Sequence, residues 1–206
     1  TLWHTLSLHD ALPISAITVA HTSADGANAA STDWSYVHEQ RLPLVEVYSK
    51  HGSSEMAGAE EAIEGFREDR SVRAALMRWI ETGDPGYKLG ITASTDDHAG
   101  APGSVEETED NLMARMPYNG GIVGAYAQEL TREGIFRALT ARHVYGTSGP
   151  RIQLRFHAHA GHTARMGDTL TVDEGTEVAF AVSAVGDTAD VARVQVFRNG
   201  SLVAET

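Results

Sequence analysis

The chain of 206 residues contains no cysteine, which excludes disulfides, thiolate zinc sites and cysteine nucleophiles together. It has no apolar run near the ~20 residues that span a bilayer. Basic residues are scarce: 16 Lys and Arg stand against 28 Asp and Glu, a formal net charge of −12. That balance argues against nucleic acid and against an anionic membrane surface as partners, since both reward clustered positive charge. Internal repeats and low-complexity tracts are missing too. What is present is 42% hydrophobic, enough for a core in one medium domain or two small ones.

The opening segment, TLWHTLSLHDALPI, reads as foreign to the protein. The nucleotides ACTCTTTCCCTACACGACGCTCTTCCGATC, a common sequencing adapter, translate as Thr-Leu-Ser-Leu-His-Asp-Ala-Leu-Pro-Ile, which matches Thr5 to Ile14 at every position. Residues 1–14 are therefore expected to play no part in the fold, and His4, His9 and Asp10 drop out as ligands. Native coding sequence is expected to start near Ser15, inside a gene whose beginning is lost.

Beyond it, SAITVAHT is a short β-branched run ending at His21, and LPLVEVYS, Leu42 to Ser49, is a second strand pattern. Val72, Leu76, Trp79 and Ile80 share a helical face over Ser71–Ile80, with Ser71 placed as N-cap. YKLGITAS is a third strand pattern, and LTREGIFRALTARHV predicts a second helix capped by Thr131. From Arg151 to Ala158 apolar and polar residues alternate, as in a half-buried strand, and Asn199-Gly200 favours a type I′ hairpin turn. These patterns divide the chain into an α/β region to about Pro150 and a small antiparallel β domain over 151–206, which stops just after its hairpin.

Strands alternating with helices favour parallel pairing, and such folds gather chemistry at the C-terminal strand ends. Here the first strand pattern ends in His21, the second holds Glu46 and is followed by His51, and the third runs into Asp96 and His98. Histidine and carboxylate donors without sulfur suit zinc, manganese or iron. Other histidines read more plainly. His38 belongs in a solvated loop, His143 at a helix end, and His157 and His159 on a wet strand face shared with Arg151 and Arg155. Asp97 reads as a turn residue or as a neighbour of the ligands, and the pair Gly120-Gly121 is a weak phosphate-loop signal.

The runs VEVYSKHGSSE, GYKLGITASTDDHAGAPGS and ELTREGIFRALTARHVYGTSGPRI together resemble the PHP (polymerase and histidinol phosphatase) superfamily of metal-dependent hydrolases, in an uncharacterised branch. The resemblance covers roughly His21 to Ile152. It implies a distorted seven-stranded β/α (TIM-like) barrel with two or three metals at its C-terminal rim, of which residues 15–150 would form the C-terminal part. Asp96 and His98 match the last metal-binding motif, and His21 matches a histidine ligand ending an earlier strand. Glu46 and His51 match a block that either holds metal or handles protons. The family's first motif, a His-x-His on the first strand, has no counterpart after Ser15, so a fragment inactive by itself is expected. The implied function is a metal-dependent hydrolase, a phosphoesterase acting on a small phosphate ester through metal-activated water. The alternative is a non-catalytic binding protein, with a degenerate barrel and a β domain for protein or glycan.

Overall fold

A computed structural model describes residues 16–27, 31–98, 100, 118–187 and 190–206. The adapter-like segment 1–14 and most of the polar loop after Ser104 lie outside the described residues. A short strand, Val19–Ala20 (β1), pairs in parallel with the apolar run Leu44–Ser49 (β2), Val19 opposite Leu44. The chain then doubles back into Gly52–Ser53 (β3), antiparallel to the end of β2. Gly52 makes that reversal with φ +111°, and a Cβ there would fall 2.5 Å from the Glu61 carbonyl oxygen. After the helix Val72–Thr82 (α1) the chain returns as Gly90–Ala93 (β4), parallel to β2 with Glu46 opposite Thr92.

α1 forms where the sequence predicts it. The Ser71 hydroxyl accepts from the Ala74 amide at 3.0 Å, and Gly83, at φ +71°, ends the helix. Val72, Ala75 and Leu76 lie one helical face apart and pack on Val45, Trp34, Tyr87 and Leu89. Trp34 is fully buried: its Nε1 donates to the Arg70 carbonyl at 2.8 Å, and its own carbonyl accepts from the Tyr87 hydroxyl at 2.5 Å. This core fixes one face of β2 and leaves the other to Leu44, Glu46 and Tyr48.

Ile122–Ala125 (β5) and Val144–Thr147 (β6) form an antiparallel pair joined through the helix Arg132–Thr140 (α2). Thr131 caps α2 through the Gly134 amide, and the left-handed Arg142 (φ +62°) stops it short of Val144. Gln153–Ala160 (β7) is the centre of a three-stranded antiparallel sheet, between His162–Arg165 (β8) and Ala179–Val185 (β9). Gln195–Arg198 (β10) and Ser201–Glu205 (β11) make the last hairpin, with Asn199 and Gly200 both at positive φ as a type I′ turn requires.

The expected part of a β/α barrel is not formed. The described residues build four small sheets and two short α-helices, and only β1–β2 and β2–β4 pair in parallel. The physical reason lies in the connections. A barrel needs each strand to cross over through a helix to a parallel neighbour. Among the described residues α1 is the one helical crossover, while β2 folds straight back into β3 and α2 joins two antiparallel strands. The strand patterns also overstate their lengths: SAITVAHT contributes only Val19–Ala20, and YKLGITAS contributes Gly90–Ala93 after a 3-10 turn over Pro85–Tyr87.

Candidate metal centre

Three loops meet at the C-terminal ends of β1, β2 and β4. His21 follows β1 directly, with Thr22 turned at φ +44°. Glu46 points from β2 to the face away from α1, and the pairing with β4 slips by one residue just after it, a bulge that re-aims side chains. The Glu46 carboxylate is buried. Its Oε1 lies 2.7 Å from His21 Nδ1, and its Oε2 accepts from the Ser94 hydroxyl. With both oxygens engaged, Glu46 fixes the His21 ring so that Nε2 faces outward to Asp96, 3.3 Å from Oδ2. A carboxylate on one ring nitrogen that frees the other for a ligand is the usual support of a metal-binding histidine.

Asp96 sits in the left-handed region (φ +52°) immediately beyond β4. Its carboxylate lies among three imidazoles: besides His21, the His51 Nε2 is 2.9 Å from Oδ2 and the His98 Nε2 is 3.5 Å from Oδ1. The ring centroids of His21 and His51 are 6.3 Å apart, and those of His51 and His98 are 6.2 Å apart. His51, Asp96 and His98 each offer a donor atom within 4.8 Å of the others. The structure therefore brings all five sequence-predicted residues together. His51 falls among the three mutually close donors, while Glu46 stands behind His21.

The donor set fits a divalent ion. Asp96 Oδ2 is buried and accepts no well-directed hydrogen bond, although two imidazole nitrogens approach it by distance. A buried carboxylate oxygen is costly to leave without a proton or a cation beside it, and the imidazoles around it offer nitrogen donors for one. Nitrogen and oxygen donors suit zinc, manganese or iron. Without metal, protons take that place. Asp96 first and Glu46 second pull the His21 pKa up to about 10, against partial burial. Burial would raise Asp96, but His21, His51 and His98 outweigh it and hold its pKa below the usual carboxylate value.

The strap Tyr118–Gly121 braces these loops. The Tyr118 amide donates to the Lys50 carbonyl at 3.4 Å, and the Gly121 amide to the Ser94 carbonyl at 2.8 Å. A Cβ on Gly121 would lie 2.6 Å from Ala93 Cβ and 2.9 Å from the Thr147 carbonyl oxygen. The glycine pair is there for close approach of backbone. Elsewhere the histidines take structural roles. His38 accepts from the Arg41 amide within a turn, His143 Nε2 lies 2.8 Å from Asp168 Oδ1, and His159 pairs with Thr163. His157, His159 and His162 form no grouping of three close donors among the described residues.

Sequence reasoning missed two contributors. Ser94 is signalled only by its place just before the Thr-Asp-Asp-His run. Lys50, next to His51, has a fully buried side chain and pairs with Asp97 at 3.3 Å, which no local pattern announces.

Comparison with known proteins adds little about chemistry. The family described as a protein of unknown function (DUF3604) matches residues 107–202, beyond the last donor of the cluster. An uncharacterised protein of Chlamydia pneumoniae is 28% identical over 166 residues, which is 78% of this chain and 25% of that protein. The chain thus spans about a quarter of the length of that relative. No solved structure matches it.

Proposed function

We propose that the cluster of His21, His51, Asp96 and His98 is a divalent-metal centre of a metal-dependent hydrolase of the PHP type, acting on a phosphate ester. The observation that carries this reading is the convergence of the His21, His51 and His98 imidazoles on the Asp96 carboxylate, with the His21 ring oriented by a buried Glu46 that Ser94 holds. The motif runs that resemble PHP proteins supply the same residues. The reading concerns the rim cluster and does not depend on a closed barrel.

Divalent ions bound there would lower the pKa of a coordinated water and offset charge on phosphoryl oxygens. The chain's own residues prepare that chemistry. Glu46 keeps the His21 Nδ1 proton, so that Nε2 is the free donor. Asp96 forms the floor, while His21 and His98, each nearly half exposed, make the open rim where substrate enters. A chain of net charge −12 has little else to attract a phosphate. The only lysine at this site is buried under Asp97 among the described residues, so the metal supplies the positive charge.

The test is metal and phosphate binding by the purified chain. Zinc or manganese content is measured by mass spectrometry, orthophosphate binding by calorimetry, and release of phosphate from an aryl phosphate by absorbance. Bound metal that disappears in Asp96→Ala is expected, with orthophosphate held only by the metal-loaded protein. Turnover is expected to be low, because the His-x-His that opens the PHP motif set on the first strand has no counterpart here; the run His157-Ala158-His159 lies on β7 instead. Metal retained in Asp96→Ala overturns the site. Metal-loaded protein that neither binds phosphate nor cleaves the ester overturns the phosphoesterase and favours a binding module.

A further inference from the structure

Two dipeptides face each other at the floor of the cluster, Lys50-His51 at the end of β2 and Asp96-Asp97 beyond β4. They are joined twice. His51 Nε2 reaches Asp96 Oδ2 at 2.9 Å on the open side, and Lys50 Nζ reaches Asp97 Oδ2 at 3.3 Å beneath it. The lower rung is withdrawn from most solvent: the Lys50 side chain is 0% exposed and that of Asp97 is 13% exposed. Lysine is almost never fully buried unless paired. A position that needed only filling would hold an apolar residue at no loss, because replacing a buried ion pair by packed apolar side chains is often neutral or stabilising. What the charged pair adds is a fixed register between two loops.

Asp96 is where that register matters. Its left-handed backbone is unfavourable for a residue with a side chain, and it persists only if the surroundings determine it. The strap Tyr118–Gly121 holds the backbone at Lys50, in the loop after β2, and at Ser94, just before the Asp96 turn. Gly120 of the strap packs against Thr95 at the start of the turn, where an added Cβ would lie 2.9 Å from Cα. Asp97, next in sequence to Asp96, ties the far side of the turn to the loop after β2 through Lys50.

We propose that Lys50 and Asp97 are positioning residues, a buried ion pair that pins the two loops in register and keeps the Asp96 turn presenting its carboxylate to His21, His51 and His98. The inference rests on the metal-centre reading for its consequence, and on the loop geometry alone for its cause.

The experiment uses the full chain with Lys50→Met and Asp97→Leu combined, which removes both charges and keeps the volume. Three quantities are read: melting temperature, amide hydrogen exchange of residues 95–98 against β2 and β4, and zinc affinity by titration. A melting temperature within a few degrees of the parent is expected. Exchange should be at least about tenfold faster at 95–98 with β2 and β4 still protected, and zinc binding weaker by about 10–100-fold, the usual cost of losing support behind a ligand. Unchanged exchange at 95–98 and unchanged zinc affinity would overturn the proposal and make the pair a packing feature. If the parent itself binds no zinc, the metal-centre reading fails, and the exchange result still decides the role of the pair. Should the double variant not fold, Asp97→Asn, which keeps the shape, is read in the same way. Faster exchange confined to 95–98 supports the pin, and a uniform rise along the chain overturns it.

Discussion

Metal-free protein should lose stability as pH rises through the titration of His21. The ring sits between Asp96 and Glu46, and its pKa is raised from 6.5 to about 10. A raised folded-state value means that the protonated form is the stabilised one. The contribution is complete below pH 6.5, where the unfolded chain is also protonated, and it declines as pH climbs through about 10. Taken without screening, a displacement of that size corresponds to about 5 kcal/mol. His21 is 46% exposed, however, and solvent screens the pair heavily, which leaves about 1–2 kcal/mol. For a domain of this size that amounts to roughly 2–8 °C in melting temperature. The assay is a series of thermal melts between pH 6 and 10.5 with a chelator present, on the parent and on His21→Gln. Lysines and tyrosines titrate in the same window, so the difference between the two proteins is the quantity read. That difference should shrink as pH rises. With saturating zinc the sign reverses, because the ion must displace the His21 proton and binds better at higher pH. Parallel melting curves for parent and variant across the whole range would refute the account of His21 as a proton held between two carboxylates.

Three further outcomes follow from the packing around the cluster. Glu46→Gln keeps the shape but weakens the support of His21, so zinc affinity measured by titration should drop about 10–100-fold. Trp34→Ala empties the fully buried centre of the core beside α1 and should cost about 3–5 kcal/mol in urea unfolding. Trp34→Phe, which loses mainly the hydrogen bond to the Arg70 carbonyl, should cost less than half of that. Gly121→Ala pushes a methyl group to 2.6 Å from Ala93 Cβ and 3.0 Å from the Tyr48 carbonyl oxygen. It should destabilise the chain by about 1–3 kcal/mol, and zinc affinity should fall with it because the strap shifts against the loops it braces.

Local chemistry was legible in the sequence wherever the determining contacts are close along the chain. Ser71 and Thr131 cap their helices through amides three residues ahead. Asn199-Gly200 sets the last turn by its own backbone preference. The alternation of β7 follows from one partly covered face, Leu154, Phe156 and Ala158 lying less exposed than Gln153 and Arg155. The barrel failed for the opposite reason. Its expectation rested on counting alternating strand and helix patterns, yet whether a strand crosses over or folds back depends on turns such as Gly52 and on partners far along the chain. Periodicity carries no information about those partners, and two residues suffice for β1 where the pattern suggested eight.

The cluster was more legible than the fold that carries it, and the distinction within it is instructive. His21, His51, Asp96 and His98 stand just past apolar runs, so strand ends alone place them at one edge. Their division of labour is another matter. Glu46 lies mid-strand, and only the paired contacts with His21, 25 residues before it, and Ser94, 48 residues after it, show it to be the group that orients an imidazole. Lys50 is harder still. A lysine beside a histidine reads as a solvated turn, because the cost of burying it is met by Asp97, 47 residues away. Donor types are properties of single residues and survive in sequence. The supports that aim them are properties of pairs brought together by folding, and these decide whether four donors become a metal centre.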